Sequence, residues 1–209
     1  MPSRAFTSER RDPVAFMMTE APGTMLLYHG AGSDRDHTSL LAIERAVTPW
    51  ACVRANFPYR EQGRKSPDRV PKLMAAVRLT LEEMEAPVVM GGRSMGGRIC
   101  SMVAAGADSD SPPSVVAGLV LISYPLHPPG KPETLRVEHL ADIAVPCLFI
   151  QGSGDSFGTP EELSVWTSSI PGDVRTVVID GGRHDLRGAD ERIADVTRDW
   201  LADLVRSRR

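Results

Sequence analysis

The sequence predicts an α/β fold: a three-layer sandwich in which a mostly parallel sheet of about six to seven strands is flanked by helices. Two observations carry this prediction. Six short apolar runs alternate with segments whose apolar residues recur at three- and four-residue spacing. Most of the runs are also uninterrupted by polar residues, the pattern of strands covered on both faces. At 209 residues the chain reads as one domain over 1–209, long enough for a sizeable core.

The elements follow in order. Residues 4–20 are the least regular, with an edge strand expected around Val14 to Met18 after a turn at Asp12-Pro13. Met25 to Tyr28 forms the first clear strand, which ends at His29-Gly30-Ala31-Gly32 and leads to a helix near Thr38 to Val47. Ala51 to Asn56 is the next strand, and a polar loop through Tyr59, Arg60 and Gly63 follows it. Val70, Leu73, Met74, Val77, Leu81 and Met84 then make one apolar helical stripe, closed by Pro87. Val88 to Gly91 is a strand, and the helix after it carries Ile99, Met102 and Val103. Leu119 to Ser123 and Cys147 to Gln151 are strands separated by a long connection. A helix at Pro160 to Ser169, a strand at Thr176 to Ile179 and a terminal helix with Ile193, Val196, Trp200 and Leu204 on its buried face complete the chain. The intervals between strands leave no room for an inserted cap, so an open, shallow cleft is expected.

Gly92-Arg93-Ser94-Met95-Gly96 sits where a strand turns sharply into a helix. It fits the Gly-x-Ser-x-Gly elbow, in which a strained backbone presents the serine hydroxyl at the end of the sheet. The flanking glycines are expected because a side chain there would collide as the helix folds back on the strand that delivers it. Two rival readings of these glycines fail. A phosphate loop would need Lys and Ser/Thr where Arg98 and Ile99 stand, and a dinucleotide loop would need glycine at Arg93.

In an open parallel sheet, loops at the carboxyl ends of the strands converge. Ser94, Asp155 and His184 each follow a strand, in the chain order Ser, Asp, His. They are the candidate catalytic residues: Ser94 as nucleophile, His184 as its general base and Asp155 as the carboxylate that holds the imidazole. Asp180 and Asp185 flank the His184 turn and are alternative acids. The backbone N–H groups of Met95 and Ala31 are the candidate oxyanion donors. Tyr59, Arg93, Tyr124, Leu126 and His127 are expected to bind substrate, Arg93 alternatively pairing with a neighbouring acid. His29 is expected to brace the oxyanion loop through its ring, Arg98 to pack under the elbow, and His37 and His139 to lie on the surface.

These residues resemble the α/β-hydrolase superfamily, and more closely a small lidless branch near the dienelactone-hydrolase-like and testis-expressed hydrolase-like proteins. Gly91 to Gly96 with Arg98 is similar to that branch's elbow, and Leu121 to His127 to its next strand and loop. His29-Gly30-Ala31-Gly32, Leu135-Arg136 with Pro146, Gly152-x-x-Asp155 and His184 extend the resemblance from about residue 24 to the end. It implies a serine-hydrolase fold whose first two strands are short or missing here. Some members of the branch serve as subunits of larger complexes, which implies the alternative of a non-catalytic interaction module. The signature of that alternative would be an occluded Ser94 or a misplaced His184.

Composition excludes several classes. Acidic residues (27) outnumber basic ones (24) at a net charge of −3, and no basic run is interleaved with aromatics, so a nucleic-acid partner is not expected. No apolar stretch approaches the ~20 residues of a membrane span, and the first 20 residues lack a signal-peptide core. Cys52, Cys100 and Cys147 cannot all pair, and each falls in a segment expected to be buried, which suits a reducing cytoplasm. No His-Glu-x-x-His or paired Cys-x-x-Cys is present, so neither a metal nor another cofactor is expected. The expected partner is a small-molecule ester or thioester.

Overall fold

A computed structural model describes residues 21–108 and 111–207. The strand expected around Val14 to Met18 lies outside these residues, as do Arg208 and Arg209. Six strands form one sheet in the order β2-β1-β3-β4-β5-β6, with every neighbouring pair parallel. They are β1 (Thr24–Tyr28), β2 (Ala51–Ala55), β3 (Val88–Arg93), β4 (Val116–Ile122), β5 (Cys147–Gly152) and β6 (Val174–Ile179).

Alternation along each central strand feeds two cores. Leu26, Tyr28, Met90, Leu119, Leu121 and Phe149 face one side, and Met25, Leu27, Val89, Val120, Leu148 and Ile150 face the other. On the first side lie α3 (Val70–Glu82), α4 (Met95–Ala104) and Leu163 of α5 (Pro160–Thr167). On the second, α1 (Thr38–Ala46) and α6 (Asp190–Arg206) cover the sheet through Leu40, Ile43, Ile193 and Trp200. The apolar stripes therefore predict the layers, because each helix has one face that must leave water. At the sheet edges β2 is half-buried and β6 largely exposed, whereas β3, β4 and β5 are buried throughout.

The polar loop through Tyr59 contains a four-residue helix, α2 (Pro58–Glu61). A proline in its first turn and the fixed φ it supplies account for a helix too short to show any periodicity. The connection from β4 to β5 holds only one 3₁₀ turn (Leu140–Asp142), and no cap is inserted among the described residues.

Strand order places the site. The chain passes from β1 outward to β2, then returns to put β3 on the other side of β1. Loops leaving β1 and β3 therefore diverge at their carboxyl ends and open a crevice there.

Candidate active site

Ser94 follows β3 directly, with φ 49° and ψ −116°, and precedes the first residue of α4. A non-glycine residue held there costs about 1–3 kcal/mol, and the surrounding packing imposes it. Gly92 lies at φ +144°, and a Cβ on it would come within 1.9 Å of the Tyr28 carbonyl oxygen. One on Gly96 would meet the Tyr28 and His29 carbonyl oxygens at 2.5 and 2.6 Å. The glycines thus clear the neighbouring strand β1, and not the delivering strand β3 that the local sequence suggests. Gly97 does that second job: a Cβ on it would stand 2.7 Å from the Gly92 carbonyl oxygen.

Three side chains meet at this turn. Ser94 Oγ lies 2.8 Å from His184 Nε2, and His184 Nδ1 lies 2.9 Å from both Asp155 carboxylate oxygens. Since a carboxylate only accepts, Nδ1–H donates to Asp155 and Nε2 is left to accept from the serine hydroxyl. Asp180 and Asp185 are exposed, and neither makes an ion pair with His184 among the described residues.

The remaining polar contacts hold this row in place. Buried Gln151 donates to Asp155 Oδ2 at 3.0 Å and to the Gly158 carbonyl at 2.8 Å, while its own oxygen accepts from the Tyr124 N–H at 2.8 Å. Phe157 N–H donates to Asp155 Oδ1 at 2.9 Å, and the Phe157 ring stacks on the His184 imidazole with centroids 3.9 Å apart. A Cβ on Gly152 would stand 2.4 Å from the Gly182 carbonyl oxygen, so glycine is what lets the Asp155 and His184 loops approach. Leu186, at φ 45°, plugs the His184 loop into the core beneath α6.

A half-open cleft of about 550 Å³ lies over Ser94 and His184, and Ala31, Met95 and Arg93 are among its lining residues. Met95 opens α4, so its N–H has no intrahelical acceptor and carries the positive end of the helix dipole. His29 braces the loop that holds Ala31: its Nδ1–H donates to the Gly30 carbonyl at 2.8 Å and its Nε2 accepts from the Phe57 N–H at 3.2 Å. That pattern needs the neutral ring, and burial holds the His29 pKa below the usual histidine value.

Several expected pocket residues do other work. Tyr59 is fully buried against His29 and Phe57, supporting the loop that carries Ala31 from below. Tyr124 is buried and donates its hydroxyl to the Arg136 carbonyl at 2.8 Å; Leu126 is buried under Gly158. His127 is buried, bonded through Nδ1 to the Pro128 carbonyl, and faces Glu162 at 3.5 Å. None of these four lines the cleft. The reason is common to all: loops at the active edge bury aromatic and apolar side chains inward to support the polar groups above them. Arg93 does line the cleft, but its partner is a carbonyl and not an acid, with Nη2 donating to His184 O at 2.7 Å. Its burial pulls its pKa down, opposed by the nearby Asp185, Asp190 and Asp155.

Of the two histidines expected at the surface, His37 is half-exposed and His139 is buried. His37 caps α1 and lines the cleft. His139 is buried, with Nε2 2.8 Å from Ser101 Oγ, and burial reinforced by Arg98 pushes its pKa down to about 4. Sequence reasoning missed Gln151 and Phe157, although a polar residue ending the apolar run 147–151 was a usable signal.

With this geometry in hand, the family can be stated. The alpha/beta hydrolase domain family matches residues 21–205 of the chain. The chain belongs to that family. Solved structures share the fold at low identity. Est1E from Butyrivibrio proteoclasticus with ferulic acid bound is 14% identical, with a TM-score of 0.74 over 90% of this chain and 91% of that one. The dienelactone hydrolase from Anabaena variabilis is 18% identical, with a TM-score of 0.64 over 88% and 87%. A monoacylglycerol lipase from Paleococcus ferrophilus is 16% identical, with a TM-score of 0.69 over 89% and 96%.

Proposed function

We propose that this alpha/beta hydrolase is a serine hydrolase that cleaves a carboxylic ester or thioester through an acyl-enzyme. The observation that carries the reading is the 2.8 Å contact of Ser94 Oγ with a His184 ring already oriented by Asp155. In the first half-reaction the Ser94 proton moves to His184 Nε2 as Oγ attacks the carbonyl carbon. The tetrahedral oxyanion is received by the Met95 and Ala31 N–H groups, each such donor being worth ~2.7–4 kcal/mol of barrier. His184 then returns the proton to the departing alkoxide or thiolate, leaving the acyl group on Ser94. Water repeats the sequence: it loses a proton to His184, attacks the acyl carbon, and Ser94 recovers its proton as the acid leaves.

Ser94 and His184 line an accessible cleft, which speaks against the non-catalytic alternative, whose mark would be an occluded serine or a displaced histidine. The names dienelactone hydrolase and monoacylglycerol lipase among the similar structures point the same way. We place the protein in the cytoplasm, acting on a small molecule without a metal, another cofactor or nucleic acid. Three free cysteines suit that compartment, and among the described residues no helix is long and apolar enough to cross a membrane.

The test is mass spectrometry of protein acid-quenched during turnover of p-nitrophenyl acetate and of an acetyl thioester. An acetyl adduct on the Ser94 peptide is expected. Turnover with no adduct on Ser94, or with undiminished rate in Ser94→Ala, would overturn the reading.

A further inference from the structure

The charged groups lining the cleft are unevenly satisfied. Asp68 is held by Arg64 at 2.8 Å and Lys72 at 3.2 Å. Arg93 donates through Nη2 to the His184 carbonyl and has Asp185 and Asp190 for neighbours, although its Nη1 is buried without a hydrogen-bond partner. Arg98 and Arg136 have nothing comparable. Arg98 Nε is buried without any hydrogen-bond partner, and the Arg136 guanidinium has only a 3.5 Å contact with the Pro125 carbonyl. Among the described residues neither makes an ion pair, although both line the cleft beside Ser94.

The two guanidiniums also act on each other. The Arg136 pKa is held down first by burial and then by the like charge of Arg98. The nearby acids do not relieve this: Glu138 and Asp142 act on His139 and make no ion pair with either arginine among the described residues. His139 stays neutral, bonded to Ser101, and adds no third charge.

The backbone of both arginines is fixed in place. Arg98 lies one helical turn beyond Ser94, its N–H donating to the Ser94 carbonyl at 3.0 Å and its carbonyl accepting from Ser101 Oγ at 2.8 Å. Arg136 is pinned on both sides of its backbone, by its N–H to the Leu126 carbonyl at 2.9 Å and by the Tyr124 hydroxyl on its carbonyl. Met95, Ile99 and Pro125 supply apolar wall in the same cleft. A site with apolar walls and two planar donors matches a carboxylate carried on a short hydrocarbon.

We infer that Arg98 and Arg136 form a carboxylate subsite, so that the substrate is an ester or thioester bearing a free carboxylate. This rests on the serine-hydrolase reading for the chemistry but not for the binding. The carboxylate satisfies the idle guanidinium donors and removes the repulsion between them. A neutral isostere leaves those donors unpaired, which is how a polar site rejects an analogue lacking the recognised group.

Two substrate series locate the carboxylate. The p-nitrophenyl hemiesters of succinate, glutarate and adipate carry it on the acyl side, and acetoxybenzoates carry it on the alcohol side; neutral esters of matched length are the references. At least one anionic ester is expected to exceed its neutral match in kcat/KM by tenfold or more. That ratio is expected to fall at least tenfold in both Arg98→Gln and Arg136→Gln, with Arg98→Lys retaining part of it. Because the ratio is internal, a general loss of activity does not change it. A preference for neutral esters in both series, or a ratio untouched by either substitution, overturns the subsite.

Binding gives a second readout that needs no turnover. Calorimetry of Ser94→Ala with monomethyl succinate, glutarate and adipate is expected to show binding that Arg98→Gln abolishes. Absence of binding for all three overturns the subsite. A protein that binds them through Arg98 but neither hydrolyses esters nor labels at Ser94 keeps the subsite and loses the hydrolase reading.

Discussion

The two halves of the candidate site are built by different means. The inner half, Ser94 and the two proposed oxyanion amides, hangs on β1 and β3 at the middle of the sheet, where β3 is buried along its whole length. It is shaped by steric exclusion: Gly92 and Gly96 press against β1 carbonyls, and the serine takes a conformation that nothing local favours. The outer half, Asp155 and His184, hangs on β5 and the exposed edge strand β6. It is shaped by hydrogen bonds from Gln151, the Phe157 amide and Arg93, and by one stacked ring. A nucleophile on a strained turn needs rigidity, which backbone packing supplies. A base that takes and returns a proton needs orientation, which directional bonds supply.

The largest effects should appear where the halves touch. Ser94→Ala and His184→Ala are each expected to lower kcat by ~10⁵–10⁶, and the double variant by hardly more, because residues acting as a unit are not additive. Asp155→Asn should cost ~10⁴ through the wrong tautomer. Ester kinetics check all four, and additive losses would show that the halves work separately.

Breaking the inner half should break the fold. Gly92→Ala sets a Cβ 1.9 Å from a backbone oxygen that cannot move aside, and should destabilise by more than ~4 kcal/mol, seen as lost solubility or a collapsed melting temperature. Gly152→Ala meets the more exposed His184 loop and should lose activity while circular dichroism still reports a folded chain. Equal melting temperatures for the two would erase the contrast.

A pH titration sharpens it further. His139, buried against α4, has its pKa pushed down from 6.5 to about 4. Between those values the unfolded chain binds more protons than the folded one, so stability rises with pH across the window. It is complete above about pH 6.5 and falls by up to ~3 kcal/mol as the pH drops toward 4. Denaturant melts of His139→Gln, which keeps a donor for Ser101, should show a flatter slope; an unchanged slope would assign the acid sensitivity elsewhere.

The smallest effect belongs to the outer half. Gln151→Leu strands the Gly158 carbonyl and the Tyr124 N–H and leaves Asp155 Oδ2 with His184 alone, and should cost ~1–3 kcal/mol in melts, with kcat lowered more than KM raised. A change in KM alone would make Gln151 a pocket support instead.

What could be read from the sequence follows the same division. The strand-turn-helix around Ser94 is written in consecutive residues, and so are the apolar stripes of α3 and α6, because their periodicity is local. The order of Ser94, Asp155 and His184 could be matched to strand ends for the same reason. The pocket could not. Tyr59, Tyr124, Leu126 and His127 all sit on loops at the correct edge, yet which way a loop side chain turns depends on tertiary neighbours far away in sequence. Tyr124 turns inward because the Arg136 carbonyl, twelve residues on, accepts its hydroxyl. His139 looked like a surface residue in a polar stretch, and only the approach of Ser101 on α4 buries it. Gln151 went unread for the same reason, its partners being the loops it joins.

The most direct measurement is the rate at which a fluorophosphonate labels the purified protein, beside Ser94→Ala, His184→Ala and Gln151→Leu. Rapid labelling confined to Ser94, abolished without His184 and slowed without Gln151, is the expected result. A well-folded protein that does not label, or labels equally without His184, would contradict an activated serine at this turn.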